Sequence, residues 1–218
     1  RVCRFDAIRA GRVDPLTCEG CRACLYACPA GAIRMKARVA GEWFRSETRF
    51  GALFHARLHP GQENSGKLVS EVRRKADDWA MSVGADVMLI DGPPGIGCPV
   101  IAATTGVDLA LLVAEPTVSG VEDLSRALDT VAFFGVPAIV CINKADLNPR
   151  RADEIEASCA ARGLPWPVRI PFDEGVQAGL RERAIVTERG PEHVARALRR
   201  LYGSMRGHLQ DATGKVTV

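Results

Sequence analysis

No apolar run in this sequence is long enough to cross a bilayer; unbroken stretches such as Leu109 to Ala114 end after a few residues. Strong charge of one sign is also missing. The 29 Lys and Arg stand against 26 Asp and Glu, a net charge of +3, and they are scattered along the chain. That balance calls for neither nucleic acid nor an anionic membrane as partner. No signal-peptide pattern is visible, and the chain opens at Arg1 inside a patterned segment, so the N-terminus is expected to be a cut edge. Cysteine is scarce after residue 28: five of the eight fall in the first 28 residues. A disulfide scaffold would spread them over a small chain. Metal or cluster ligation in a reducing, cytoplasmic setting fits better. What is plentiful is ordinary: 47% apolar residues and mean hydropathy near zero, enough for one medium globular domain with a small appendage.

Residues 18 to 29 form the pattern C-x2-C-x2-C-x3-C-P, with cysteines at 18, 21, 24 and 28 and Pro29 closing it. Two-residue gaps let a chain wrap three corners of one iron–sulfur cube, while the fourth cysteine turns away and serves a neighbouring cluster. A short repeat supports this. Cys3-Arg-Phe-Asp-Ala-Ile-Arg9 matches Cys28-Pro-Ala-Gly-Ala-Ile-Arg34 in its Cys, Ala, Ile and Arg. Cys3 is therefore expected to be the last cysteine of an earlier run. By the crossing rule, Cys3, Cys18, Cys21 and Cys24 hold one [4Fe–4S] cluster, and Cys28 belongs to a second whose other ligands are absent. The alternative is a zinc site, since four thiolates also suit tetrahedral zinc. Cys141 and Cys159 are expected to be packed thiols, and Cys98, after a loop, is left open.

The remainder alternates. A hairpin is expected over 41–58 and a helix over 66–83, with Leu68, Val72, Ala76 and Trp79 near one face. Short apolar strands follow at 87–90, 109–114, 139–142 and 168–170. Continuous rather than alternating apolar character marks strands covered on both sides, hence a parallel sheet. Ser119 and Glu122 make a capping-box pattern before a stripe of Val121, Leu124, Leu128 and Val131. Another helix spans 150–162 and stops at Gly163, and Pro191 opens a last one bearing Val194, Leu198 and Leu201. The tail after Tyr202 is expected to be loose. The fold class is α/β: a doubly wound, mainly parallel sheet with a small ferredoxin-like cluster domain, divided as 1–38 and 39–218.

Three strand ends carry marked residues, where open α/β sheets bind ligands. Asp91-Gly-Pro-Pro-Gly95-Ile-Gly97 suits a carboxylate that holds Mg2+ or orients water, beside glycines that let backbone approach a phosphate. Asn143-Lys-Ala-Asp146 can read a nucleotide base with amide and carboxylate. Ile170-Pro-Phe-Asp173 is a loop that could flank the base. Gly61 to Lys67 fits the spacing of a phosphate loop. However, Leu68 stands where a hydroxyl should meet Mg2+, and Glu63 would put a carboxylate in an anion cradle.

Together these strings resemble the MinD/ParA superfamily of P-loop ATPases, in particular members with an inserted two-cluster ferredoxin domain. The resemblance runs through Cys3 to Arg34, Glu63 to Val69, Asp91 to Val100, Glu115-Pro-Thr-Val-Ser-Gly120 and Cys141-Ile-Asn-Lys. It implies a Gly-rich Lys loop ahead of the insert, which this chain lacks. It implies Asp91 as the Mg2+ and water carboxylate and Asn143 as the adenine-contacting amide, with ATP and Mg2+ as cofactors. It also implies a homodimer formed around ATP, with a redox or iron–sulfur client protein. ATPase activity is expected of the intact protein and not of this chain. The expected function is an iron–sulfur protein coupled to ATP binding and hydrolysis, for electron transfer or cluster delivery. The alternatives are a passive electron-transfer module with a vestigial nucleotide fold, or a GTP-binding variant.

Overall fold

The computed structural model describes residues 2–60, 62 and 66–213, and of 211–213 the backbone alone. The Gly61–Lys67 loop falls mostly outside these residues. The chain divides into two units, Arg1–Leu89 and Ile90–Val218.

In the first unit, Ile8–Arg9 (β1) and Arg12–Val13 (β2) pair across a two-residue turn. Ala10 and Gly11 there both take positive φ, 47° and 74°, as a tight hairpin turn of this kind requires. Ala23–Ala27 forms a short helix, α1. Gly41–Thr48 (β3) and Gly51–Leu58 (β4) are the expected hairpin, in register from Thr48 opposite Gly51 to Gly41 opposite Leu58. Along β4, Ala52, Phe54, Ala56 and Leu58 are half-buried, while the residues between them are exposed. This period of two gives the ribbon one covered face. The cover is α2, Gly66–Val83, the expected helix. Its Trp79 ring lies 5.9 Å from that of Phe54, and the Arg45 guanidinium lies 5.2 Å from the Trp79 ring.

The second unit is the α/β layer. Cys98–Thr104 (α3) precedes Ala110–Ala114 (β5), then come Val118–Phe133 (α4), Ala138–Asn143 (β6), a 3-10 turn at Ala145–Leu147 and Pro149–Ala161 (α5). Val168–Ile170 (β7), Glu174–Arg181 (α6), Val186–Arg189 (α7) and Glu192–Thr213 (α8) complete it. The three strands are parallel in the order β5-β6-β7. β6 explains why its apolar run is unbroken. Ala138, Val140 and Ile142 face a core built with Leu124, Leu128 and Val131 of α4 and Ile155 and Cys159 of α5. Ile139 and Cys141, between them, face a second core with Ile170 and with Val194, Ala197 and Leu201 of α8. Both faces are covered, as a parallel sheet demands. Cys141 and Cys159 are fully packed; burial pushes the Cys141 thiol up to about 11 and also raises Cys159.

Three expectations need correction. The 87–90 segment joins no ladder: a strand exists only with a partner, none pairs with it among the described residues, and Val87 and Leu89 stand 62% and 84% exposed. The cap of α4 is Thr117 and not Ser119. Thr117 has extended backbone, and its Oγ1 accepts the Gly120 N–H at 2.9 Å. The sequence pattern does not announce α6, which is capped by Asp173, whose Oδ1 accepts the Gly175 N–H at 2.7 Å. Finally, the chain stays helical past Tyr202 to Thr213, because Leu201 and Met205 continue the apolar stripe into the second core.

Candidate functional site

The cysteine repeat is also a repeat in three dimensions. At Cys3 the Asp6 N–H donates to the Cys3 carbonyl at 3.3 Å, Asp6 takes a φ of 50°, and the Ala7 N–H donates to Cys3 Sγ at 3.3 Å. At Cys28 the Gly31 N–H donates to the Cys28 carbonyl at 3.2 Å, Gly31 takes a φ of 58°, and the Ala32 N–H donates to Cys28 Sγ at 3.4 Å. One left-handed residue at the third position turns the next amide back onto the sulfur. Glycine adopts that conformation freely; Asp is one of the few side chains that tolerates it. The alanine shared by the two copies thus supplies the amide donor. Such donors favour the thiolate. At Cys28 the Ala32 amide, helped by those of Ala30, Gly31 and Ile33, pulls the thiol below its ordinary value.

Cys18 and Cys21 are exposed, and Cys3, Cys24 and Cys28 are half-buried. The loop through the first three cysteines of the run is bent by Gly20 and Arg22, both left-handed at φ 63° and 67°, and Arg22 caps α1, which carries Cys24. Among the described residues no three His, Cys, Asp or Glu side chains converge as they would around a single metal ion. Around a cube the sulfurs stand wider apart, because iron and sulfide lie between them. The donor set consists of soft thiolates, two of them already turned toward amide donors, and that chemistry fits an iron–sulfur cluster.

The other candidate residues lie in the second unit. Because β5, β6 and β7 are parallel, their carboxyl ends open on one edge. Glu115 follows β5, Asn143 ends β6, and Pro171 to Asp173 follow β7. Lys144, left-handed at φ 54°, reaches Glu115 with Nζ 2.6 Å from Oε1. Asp146 Oδ1 accepts the Phe172 N–H at 2.6 Å, tying the loop after β7 to the 3-10 turn. Asp173 in turn contacts His193 Nε2 at 3.2 Å, at the start of α8. The Asn-Lys-x-Asp string is therefore partly consumed in building the edge: its Lys and its Asp have protein partners, and the half-buried Asn143 makes no side-chain hydrogen bond among the described residues. The Glu115 and Phe172 partners were not foreseen. Their signal lies in register, since Ala114 pairs with Ile142 and Asn143 with Ile170, which makes those strand ends neighbours.

Gly120 has a steric role in the Glu115–Gly120 string. A Cβ there would stand 2.2 Å from the Glu115 carbonyl oxygen, so only glycine lets α4 start so close to the end of β5. Asp91 is exposed before α3, in a turn where Gly95 takes a φ of 92°. Cys98 is exposed at the start of α3.

Residues 12–34 match the family described as 4Fe-4S binding domain. Two proteins of Methanocaldococcus jannaschii, described as uncharacterized, are similar along much of the chain. MJ0578 is 31% identical over 209 residues, 94% of this chain and 68% of that protein. MJ0579 is 26% identical over 73% of this chain and 52% of its own length. Among solved structures, the MinD cell division protein of Aquifex aeolicus matches with a TM-score of 0.52 at 18% identity, over 73% of this chain and 68% of that one. That likeness concerns the fold. The chain belongs to the family of MJ0578, with a fold like that of the MinD cell division protein and a 4Fe-4S binding domain over residues 12–34.

Proposed function

We propose that this chain is the cluster-bearing part of an ATP-dependent iron–sulfur protein that transfers electrons or delivers clusters. The observation that carries the reading is the duplicated cysteine turn, with an amide aimed at Cys3 Sγ and another at Cys28 Sγ. We assign Cys3, Cys18, Cys21 and Cys24 to one [4Fe–4S] cluster and Cys28 to a second, within a cluster domain of residues 1–38. When bound, such a cluster supplies a one-electron redox centre whose potential depends on hydrogen bonds to sulfur. The Ala7 and Ala32 amides are those hydrogen bonds, and they orient the two sulfurs.

Residues 39–218 are the nucleotide side of the proposal. Asp91 would hold Mg2+ or orient water, Gly95 lets backbone approach phosphate, and Asn143 offers its amide to the base. Asp146 closes the edge behind the base by gripping Phe172. A carboxylate already engaged is poorly placed to take the paired donors of guanine, and this favours adenine over guanine. A homodimer around ATP, acting on a redox or iron–sulfur client in the cytoplasm, completes the proposal. The alternative is a passive carrier whose nucleotide fold is vestigial.

Anaerobic reconstitution tests the cluster assignment. The chain should take up about four iron and four sulfide, Cys3→Ser should lose most of both, and Cys28→Ser should retain them. Zinc without sulfide, or a Cys3→Ser variant with parental iron, overturns it. Measuring the cluster potential of the intact protein with and without MgATP separates a coupled protein, whose potential shifts, from a passive carrier, whose potential does not.

A further inference from the structure

The near-neutral total charge conceals a division. Residues 1–38 contain eight Lys and Arg against three Asp and Glu, whereas residues 39–218 contain 21 against 23. The whole positive excess therefore belongs to the cysteine segment. Arg4, Arg12, Arg22, Arg34 and Lys36 are all exposed and make no ion pair among the described residues. Of the others, Arg9 is held by Asp6, and the Arg38 guanidinium donates to the Pro15 carbonyl at 2.8 Å. Arg22 sits within the cysteine run itself, between Cys21 and Cys24.

The cations are interleaved with exposed apolar side chains: Tyr26 is 81% exposed, and Leu16, Phe5 and Met35 are also exposed. Seven of the eight cations are arginine. Arginine with tyrosine, phenylalanine and methionine, and few acids, is the composition that protein interfaces favour over the rest of the surface. An exposed cluster loop also has to meet a macromolecule that can exchange electrons or clusters with it.

We propose that the surface of residues 2–38 is a docking face for an acidic electron-carrying protein. This rests on the cluster-binding reading above and names its partner class. Charge would steer the encounter, raising the association rate by about 10- to 1,000-fold at low salt, with the gain lost as ions screen it. The exposed aromatic and arginine side chains would supply the contact once docked.

The test uses the full chain, reconstituted anaerobically, with iron and sulfide measured on the same sample, and the metal-free chain in parallel. The probes are an acidic flavodoxin, basic cytochrome c, a 20-base-pair DNA duplex and vesicles containing anionic lipid. Binding is followed by interferometry from low to high salt. Flavodoxin should bind, weaken at least about 10-fold with added salt and outcompete every other probe. Arg34→Glu with Lys36→Glu should slow association about 10-fold at low salt and leave high-salt binding unchanged. Arg12→Glu with Arg22→Glu is the second pair, should the first misfold. Equal binding of flavodoxin and cytochrome c, tighter binding to DNA or vesicles, or unchanged association in a folded charge-reversed variant overturns the proposal. A chain that fails to load iron but still binds flavodoxin sinks the cluster assignment and leaves the docking face standing. The opposite pattern does the reverse.

Discussion

Replacing Asp146 with alanine should loosen the loop after β7 while leaving the sheet intact. The Phe172 N–H donates to Asp146 Oδ1 at 2.6 Å, joining residues 26 apart in sequence. A hydrogen bond to a carboxylate is worth about 1.5–3 kcal/mol when shielded. Asp146 is exposed and water competes for it, so about 1 kcal/mol is the expected loss. If that loss appears as local opening, the Phe172 amide should exchange with deuterium about five-fold faster, while amides of β6, such as that of Ile142, keep their rates. Asp146→Asn keeps an oxygen acceptor and should lose less than half as much. Residue-resolved hydrogen exchange measures all three chains. An unchanged Phe172 rate in Asp146→Ala, or an equal effect in Asp146→Asn, refutes the tie between the two loops.

Two further outcomes follow from burial. Arg169 donates from Nε and Nη2 to both oxygens of Glu156 at 2.6 Å, and Glu156 is only 7% exposed. Arg169→Met strands that carboxylate and should cost about 2–3 kcal/mol by urea unfolding, less than for a fully buried pair because Arg169 is partly exposed. An unpaired buried Glu has its folded pKa raised, so its destabilisation grows as pH rises through that value. The variant should therefore regain ground against the parent as pH falls from 7 toward 5, and a pH-independent loss contradicts this. The buried Cys141 thiol, pushed up to about 11, should be only about one part in a thousand thiolate at pH 8. Iodoacetamide followed by mass mapping should leave Cys141 and Cys159 intact in the native chain and modify exposed Cys98. Alkylation of Cys141 at the Cys98 rate would contradict the packing.

Sequence patterns revealed the frame where a single face or pair of faces decides structure. The hairpin followed from period-two alternation, α2 and α4 from apolar stripes, and β5 to β7 from short continuous apolar runs. Val87 to Ile90 has the same composition as those strands yet joins no ladder, because apolar character states what a segment can cover and a ladder needs a partner. The cap at Thr117 went unread because Ser119 offered the same hydroxyl two residues later; only the backbone conformation at Thr117 separates them. α6 was hidden by Gly175 and Gly179, which weaken helix propensity, and its evidence is the Asp173 cap. In the cysteine segment, the repeat located Cys3 and Cys28 by offset alone. That the repeated alanine matters as an N–H donor to sulfur, and that Asp6 imitates Gly31 in backbone shape, required coordinates. At the sheet edge, Asn143 and Asp146 were visible as a string. The Asp146 bond to Phe172 and the Lys144 bond to Glu115 were not, since each depends on how neighbouring strands align.

The two-sided burial of β6 bears on insertions and deletions. In a strand with one wet face, a one-residue slip exposes its apolar set and is punished at once. Here either alternate set meets a hydrophobic layer, so the interior tolerates sliding better than the loops do. Adding or removing one residue near Pro137 would shift Asn143 by about 3.3 Å relative to Glu115 while keeping β6 in oil. The alignment of the strand ends should therefore change before the scaffold fails, and one-residue length changes in the turn at 135–137 should leave the chain folded.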